Sequence, residues 1–138
     1  MATTTYLSQP NSITIGGVDV TDQCSAITFT LGNAPLTSTA FGDLGERMVA
    51  GLQTVDGSME LYASYGAGEV EEVLNDEVGI GDTVIVVTHE AGALSASNPE
   101  YTLTNVMISD VPTAQTVGEL QVYSVTFSGG TWVRDITP

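Results

Sequence analysis

The chain has 138 residues and carries 17 acidic side chains against two basic ones, giving a formal net charge of −15 at pH 7. The two bases are Arg47 and Arg134, so the protein cannot neutralise a row of phosphates, which excludes salt-dependent nucleic-acid binding of the usual kind. The same shortage excludes electrostatic binding to anionic membranes. Chains this acidic are often disordered, but 42% of these residues are hydrophobic, which indicates a folded domain with a strongly negative surface.

The length suits one domain with a single hydrophobic core. Cys24 is the only cysteine, so no intrachain disulfide is possible and nothing indicates an oxidising compartment. Residues 1–6 have neither the positive nor the apolar region of a signal peptide, and no apolar run reaches membrane-spanning length. We therefore expect a soluble protein made in a cytoplasm.

Short runs with period-two alternation predict a series of β-strands separated by glycine, proline and asparagine. The run at 82–88 is continuously apolar, which predicts a strand covered on both faces. Many short strands with turn residues between them are typical of a β-sandwich or barrel. The predicted strands are 12–15, 18–20, 26–31, 53–62, 82–88, 101–108 and 120–127.

One helix is predicted, from Gly68 to about Val78. Val70, Val73 and Leu74 follow the i, i+3, i+4 spacing of a narrow apolar stripe. Several glutamates occupy its first turn, where the helix dipole favours anions. We interpret this segment as a short amphipathic helix flanking the sandwich, with its acidic residues in solvent.

Two segments are unusual for a self-contained monomer. The segment Gly32–Leu52 is long for a connection in a small β-domain, yet it is rich in apolar residues, which indicates burial against another chain. The last eight residues, 131–138, contain the only tryptophan, and Trp132 either folds back on its own core or docks on a neighbour. The predicted interface residues are Leu36, Phe41, Leu44, Met48, Val49, Trp132 and Ile136.

The sequence gives no sign of an active site or a metal site. A structural zinc ion needs about four ligands, usually cysteine or histidine, and the chain has one of each, Cys24 and His89. No serine lies in a G-x-S-x-G motif, and the absence of lysine excludes a P-loop. Calcium-binding EF-hand spacing is also missing. We predict no enzymatic activity, no cofactor and no metal.

Five short motifs follow one another in a characteristic order. They are IGGVDVTD at 15–22, TAFGD with VAGL at 39–43 and 49–52, YGAGEV at 65–70, SNPEYT at 97–102 and VTFSGG at 125–130. In this order and spacing, from about Ile13 to the C-terminus, the chain resembles the tail tube (major tail) proteins of long-tailed bacteriophages, particularly the non-contractile kind.

The resemblance implies a mainly β fold, a sandwich or barrel with one short flanking helix, a long inter-strand loop and terminal arms. It implies a homo-oligomer of hexameric rings whose sheets join in one barrel, stacked into a tube in the virion and assembled in the bacterial host cytoplasm. DNA leaves the capsid through such a tube, which a tape-measure protein fills before infection. Within the single domain 1–138, the segment 32–52 would be the assembly loop, and 1–11 and 131–138 the N- and C-terminal arms.

If strands of each subunit join in a shared barrel, one strand face lines the channel. In 26–31 and 53–62 the apolar residues alternate with polar ones, so the polar set shares the opposite face. An acidic lumen offers DNA phosphates no counter-charge, so DNA would slide without binding. The alternative is that this face is the outer surface of the tube. The predicted lumen-facing residues are Thr28, Thr30, Asp56, Ser58 and Glu60.

Two alternatives remain open at this point. The chain could be another structural protein of the virion, such as a capsid decoration protein or a tail terminator. It could also be a small β-sandwich enzyme or carbohydrate-binding module, although such sites are usually lined by aromatic residues, which make up only 7% of this chain.

Overall fold

The computed structural model of the chain describes residues 12–88 and 92–137. These residues form a mainly β structure with one short helix, which confirms the predicted fold class. His89 and the predicted N-terminal arm, residues 1–11, lie outside the described residues. The elements are β1 (Ser12–Ile15), β2 (Val18–Asp19), β3 (Cys24–Thr37), β4 (Met48–Tyr62), α1 (Val70–Glu77), β5 (Thr83–Thr88), β6 (Glu100–Asp110), β7 (Thr113–Ala114), β8 (Val122–Ser128) and β9 (Thr131–Asp135).

The strands pair in two antiparallel sheets that share β6. The first sheet has the order β2-β1-β5-β6-β9, and the second has the order β3-β4-β8-β6, with the short β7 also paired to β8. The first half of β6 pairs with β5 and β9, and its second half, from Met107, pairs with β8. This shared strand joins both sheets into one continuous unit.

The crossing between the sheets depends on unusual backbone conformations. In β6, Asn105 has a φ of 58°, in the left-handed region. At the same level the chain leaves β8 and enters β9 through Gly129 and Gly130, both with positive φ. A Cβ atom on Gly130 would lie 2.8 Å from the carbonyl carbon of Asn105 and closer still to the Thr104 carbonyl oxygen. Only glycine fits at Gly130, because both its φ and this close approach exclude a side chain.

One hydrophobic core is built from both sheets and the helix. In β4 the alternation predicted from the sequence is confirmed, because Val55, Met59 and Leu61 are buried. On the neighbouring β3, Ile27 and Phe29 are partly buried against the same core. The strands of the core contribute, in addition, Ile13, Ile15, Ile85, Val87, Leu103, Val106, Ile108, Tyr123, Val125 and Phe127.

The apolar stripe predicted for the helix is confirmed. Val70, Val73 and Leu74 are all buried. Ser64 precedes the helix and caps its first turn. Its hydroxyl oxygen accepts a hydrogen bond from the Val70 N–H at 3.1 Å, and its carbonyl oxygen accepts one from the Glu71 N–H at 3.0 Å. These two bonds satisfy donors that a helix N-terminus otherwise leaves unpaired.

Strand β5 differs from the prediction that both faces are covered. Thr83, Ile85 and Val87 are buried, whereas Val84 and Val86 on the opposite face are partly exposed. β-Branched residues favour strands even where one face meets solvent, so a continuous apolar run does not by itself prove burial on both sides.

Candidate assembly interface

The segment 32–52 is mostly a β-hairpin, which corrects its prediction as a long loop. Strands β3 and β4 pair from Cys24 opposite Leu61 to Thr37 opposite Met48, so only residues 38–47 connect them. Strand β8 pairs with β4 no further than Asp56. Among the described strands none pairs with residues 33–52 except the two of the hairpin themselves. We call this part the projecting hairpin; its five strand residues on each side, 33–37 and 48–52, extend it about 17 Å beyond the sheet.

A bulge lies where the projecting hairpin leaves the sheet. The register shifts between Asn33 and Pro35, and Pro35 has no N–H to donate to a ladder. Across from it, a Cβ atom on Gly51 would lie only 2.9 Å from the Ala34 carbonyl oxygen. The glycine therefore lets the two strands approach closely at the point where the hairpin bends.

The connection 38–47, the tip of the projecting hairpin, is held by its own hydrogen bonds. The Asp43 carboxylate accepts a bond from the Ala40 N–H at 2.8 Å, and the Thr39 hydroxyl oxygen accepts one from the Arg47 N–H at 2.9 Å. The Arg47 guanidinium lies 3.8 Å from Asp43. The tip is thus a defined structure rather than a free loop.

The projecting hairpin exposes the apolar residues predicted for the interface. Phe41 and Leu44 in the tip are fully exposed, and Leu36, Met48 and Val49 on the strands are about half exposed. Leu52, which the prediction did not include, is 85% exposed. A two-stranded hairpin on its own is marginally stable in water, so an apolar one calls for a partner.

The C-terminal segment is part of the subunit's own sheet, which corrects its prediction as an arm. Residues Thr131–Asp135 form β9 and pair with β6. Of the two placements left open for Trp132, the structure has the one in which it packs, partly buried, against its own core. Its indole N–H donates to the Gly32 carbonyl oxygen at 3.1 Å, and its backbone N–H donates to the Gln53 side-chain oxygen at 3.1 Å. Ile136 follows β9 and is 38% exposed.

Trp132 therefore fixes the base of the projecting hairpin. Replacing it by phenylalanine removes the bond to Gly32 but keeps an aromatic ring, and we expect a loss of about 1 kcal/mol in the free energy of unfolding. Urea denaturation followed by circular dichroism measures this loss. Val133→Ala, at an exposed position on the same strand, is the control and should change little. Equal stability of Trp132→Phe and the wild type would contradict the role of this bond.

The residues predicted to face a lumen do share one exposed face. Thr28 lies opposite Ser58, and Thr30 lies opposite Asp56, across the β3–β4 ladder. Glu60 is exposed on the same side of β4. Ser124 and Thr126 extend this face onto β8, opposite Glu60 and Ser58, and the alternation of segment 122–128 could have identified them. The polar face consists of Thr28, Thr30, Asp56, Ser58, Glu60, Ser124 and Thr126.

The opposite end of β4 carries a groove that the sequence analysis did not identify. Tyr123 of β8 pairs with Leu61 at that end, and α1 and β7 lie beside it. The groove has a volume of about 240 Å³ and a mixed lining, in which Glu71, Asn75 and Thr113 are the polar residues. Val117 and Leu120, in the connection between β7 and β8, are exposed at the same end. The apolar lining residues are Leu74, Val78, Val111 and Tyr123.

The hydroxyl of Tyr123 is not free. It donates a hydrogen bond to the Tyr65 hydroxyl oxygen at 3.2 Å. Burial raises the pKa of Tyr123 to about 12, and the bond to Tyr65 and the negative charge of Glu71 add to this rise. Tyr123 therefore gives the groove an uncharged, hydrogen-bonded side chain.

Within residues 12–88 and 92–137 no group of three or more His, Cys, Asp or Glu side chains could hold a metal ion. Over the same residues, no helix has both the length and the apolar character needed to cross a membrane.

Solved structures show which fold this is, whereas neither a protein-family model nor a curated protein sequence matches the chain. The SPP1 tail tube superposes with a TM-score of 0.69 at 11% identity, over 94% of this chain and 78% of that one. The tube-terminating cap of the anti-feeding prophage gives 0.70 at 8% identity, over 99% and 95%.

The tail of a gene transfer agent particle, a structure with C6 symmetry, gives a TM-score of 0.60 at 10% identity, over 84% of this chain and 83% of that one. At such low identities the likeness concerns the fold, and it leaves the non-contractile subtype a prediction. The chain has the fold of phage tail tube proteins.

Proposed function

We propose that the chain is the structural subunit of a phage tail tube, a component of the virion that self-assembles into stacked hexameric rings. The observation that carries this proposal is the projecting hairpin, whose fully exposed Phe41 and Leu44 have no partner within the described chain. The C6 symmetry of the gene transfer agent tail supports rings of six. In this role a tape-measure protein and other tail proteins are the partners, and DNA passes without binding.

The second sheet offers a route to ring closure. Strand β3 lies at its edge and pairs only with β4 among the described strands, so its other side presents unpaired backbone groups. Such an edge is a template for pairing with another chain. If β3 of each copy joins the second sheet of its neighbour, a rotation that closes produces a ring with one shared barrel. The polar face then lines the channel.

Negative-stain microscopy of the purified protein at high concentration tests the proposal. Tubes of variable length are the expected result. Discrete trimers or monomers would contradict it and favour a capsid decoration protein, and monomers with a glycan-dependent melting shift would favour a carbohydrate-binding module.

The similarity to a tube-terminating cap favours a second candidate, a tail terminator. A terminator ends a tube rather than extending it. Single rings that do not grow with protein concentration would support this candidate over the tube subunit.

Charge reversal on the polar face tests the lumen. Tubes of Asp56→Lys with Glu60→Lys, assembled in the presence of short duplex DNA, should hold that DNA in a nuclease-protected form, because lysines supply the counter-charge that the wild type lacks. Retention should fall steeply with NaCl. Asp22→Lys with Asp82→Lys makes the same charge change at exposed sites outside the polar face and should protect none. DNA that binds but stays nuclease-sensitive would place the two carboxylates outside the tube.

Assembly is expected to increase with salt. Each copy carries a net charge of −15, and exposed charges are screened over about 8 Å at physiological ionic strength. Added NaCl therefore weakens repulsion between copies more than it weakens the few ion pairs that two arginines can make. Light scattering at fixed protein concentration measures the effect. Scattering that decreases with NaCl would mean that specific ion pairs dominate.

A further inference from the structure

The projecting hairpin needs an acceptor surface, and the groove beside α1 has the properties of one. Resting on the proposed function, we propose that the hairpin tip of one copy docks in this groove on a copy in the next ring. Phe41 or Leu44 enters the groove, and Arg47 lies against Glu71 of the second copy.

The tip and the groove lie at opposite ends of the subunit. Strand β4 runs from Met48, next to the tip, to Tyr62, next to the groove, and its 15 residues span about 50 Å. A contact between opposite ends of identical copies is head-to-tail, and where its rotation does not close a ring such a contact builds an open-ended filament. Docking of tip into groove therefore extends a stack, ring upon ring.

The groove matches the tip in size and chemistry. A dry cavity of about 150 Å³ holds a benzene molecule, so a groove of about 240 Å³ has room for the ring of Phe41 or the side chain of Leu44. Leu74, Val78 and Val111 supply the apolar part of its lining. Val117 and Leu120, which are exposed at the same end of the subunit, offer further apolar area.

Charge selects the same pairing. In so acidic a protein, a contact that places a base against an acid is favoured over one that places acids together, and Arg47 and Arg134 are the only Lys or Arg residues. Arg134 lies on β9 and donates to the Ala96 carbonyl oxygen at 3.5 Å. Arg47 lies in the tip, with its side chain 67% exposed. Its guanidinium has five N–H donors, so it can bind Asp43 of its own tip and Glu71 of the next copy together.

A charge-swap experiment tests the pairing. The fraction of protein in sedimenting tubes should fall at least about tenfold for Arg47→Glu, and Glu71→Arg in the same chain should restore most of it. Arg134→Glu is the matched control. Any loss of tubes that Arg134→Glu causes should remain when Glu71→Arg is added to it, because Arg134 is not proposed to contact Glu71. Wild-type tube formation by Arg47→Glu would overturn the proposal.

Cross-linking locates the contact directly and does not depend on the charge of Arg47. In a Cys24→Ser background, Leu44→Cys with Asn75→Cys, at a residue of α1 that lines the groove, should give disulfide-linked ladders when tubes are oxidised. Leu44→Cys with Asp22→Cys should give none. If the wild type forms no tubes, the proposed function fails and the docking with it. If tubes form but the Leu44→Cys, Asn75→Cys chain does not cross-link, only the groove is wrong as the acceptor.

Discussion

Tubes are expected to disappear when Phe41 is replaced by aspartate, while the subunit keeps its fold. Phe41 is fully exposed in the tip of the projecting hairpin, so it contributes nothing to its own core. Aromatic anchors that fill a pocket at an interface can each contribute 2 kcal/mol or more, roughly, to binding. Aspartate removes this contribution and would bury an unpaired charge in every contact of the tube. Sedimentation and negative-stain microscopy measure assembly, and thermal melting measures the fold.

A matched variant separates a specific effect from a general one. Ile80 is exposed too, but it lies outside both the projecting hairpin and the groove. Ile80→Asp makes the same kind of change and should still form tubes. Phe41→Asp protein that no longer folds would show that the side chain belongs to the subunit's own core, and normal tubes would show that the tip is not an interface.

The largest loss of subunit stability is expected for Phe127→Ala, at about 3–5 kcal/mol in the free energy of unfolding. Among the residues that the structure describes, Phe127 is the largest fully buried side chain. Its ring covers Gly57 on the neighbouring strand so closely that a Cβ atom there would lie 2.6 Å from the ring carbon Cζ. Truncation leaves a cavity in the core beside β8, the strand that lies between β4 and β6 in the second sheet. Since domains are stable by only about 5–15 kcal/mol, the loss is a large share of the total.

Urea denaturation followed by the fluorescence of the single tryptophan measures this loss. Thr126→Ala is the control on the same strand, because Thr126 is exposed and such surface changes stay within about 0.5 kcal/mol. A loss below about 1 kcal/mol for Phe127→Ala would mean that the core collapses onto the vacated space, contrary to the close packing around Gly57.

The elements predicted correctly from the sequence are those that bury one face in the core and expose the other, because this arrangement leaves a regular pattern of apolar and polar residues. In β4, Val55, Met59 and Leu61 alternate with polar residues because one side of the strand meets the core. The stripe of α1 was predicted for the same reason. The tail tube fold followed from the order of motifs along the chain, and the structure and its neighbours confirm it.

The projecting hairpin was mistaken for a loop because neither of its faces is buried within the subunit. Without a buried face no period-two pattern is required, and Asn33, Pro35 and Gly51 are residues that usually mark turns. Strand β9 was mistaken for an arm because its pairing partner, β6, lies about 30 residues earlier in the chain. The groove was missed because three separate elements form it.

The hydrogen bonds of Trp132 have a mechanical consequence. The indole of Trp132 is bonded to Gly32 on β3, and the backbone N–H of Trp132 is bonded to the side chain of Gln53 on β4. Through this one residue, both strands at the base of the hairpin are linked to β9. Strand β9 is in turn paired to β6, which both sheets share. A sideways force on the tip is therefore shared by the hydrogen bonds of several strand pairs and does not separate a single strand from its neighbour. We expect the hairpin to act as a stiff lever, so that a tube built on it bends by small rotations between rings, with each subunit keeping its shape.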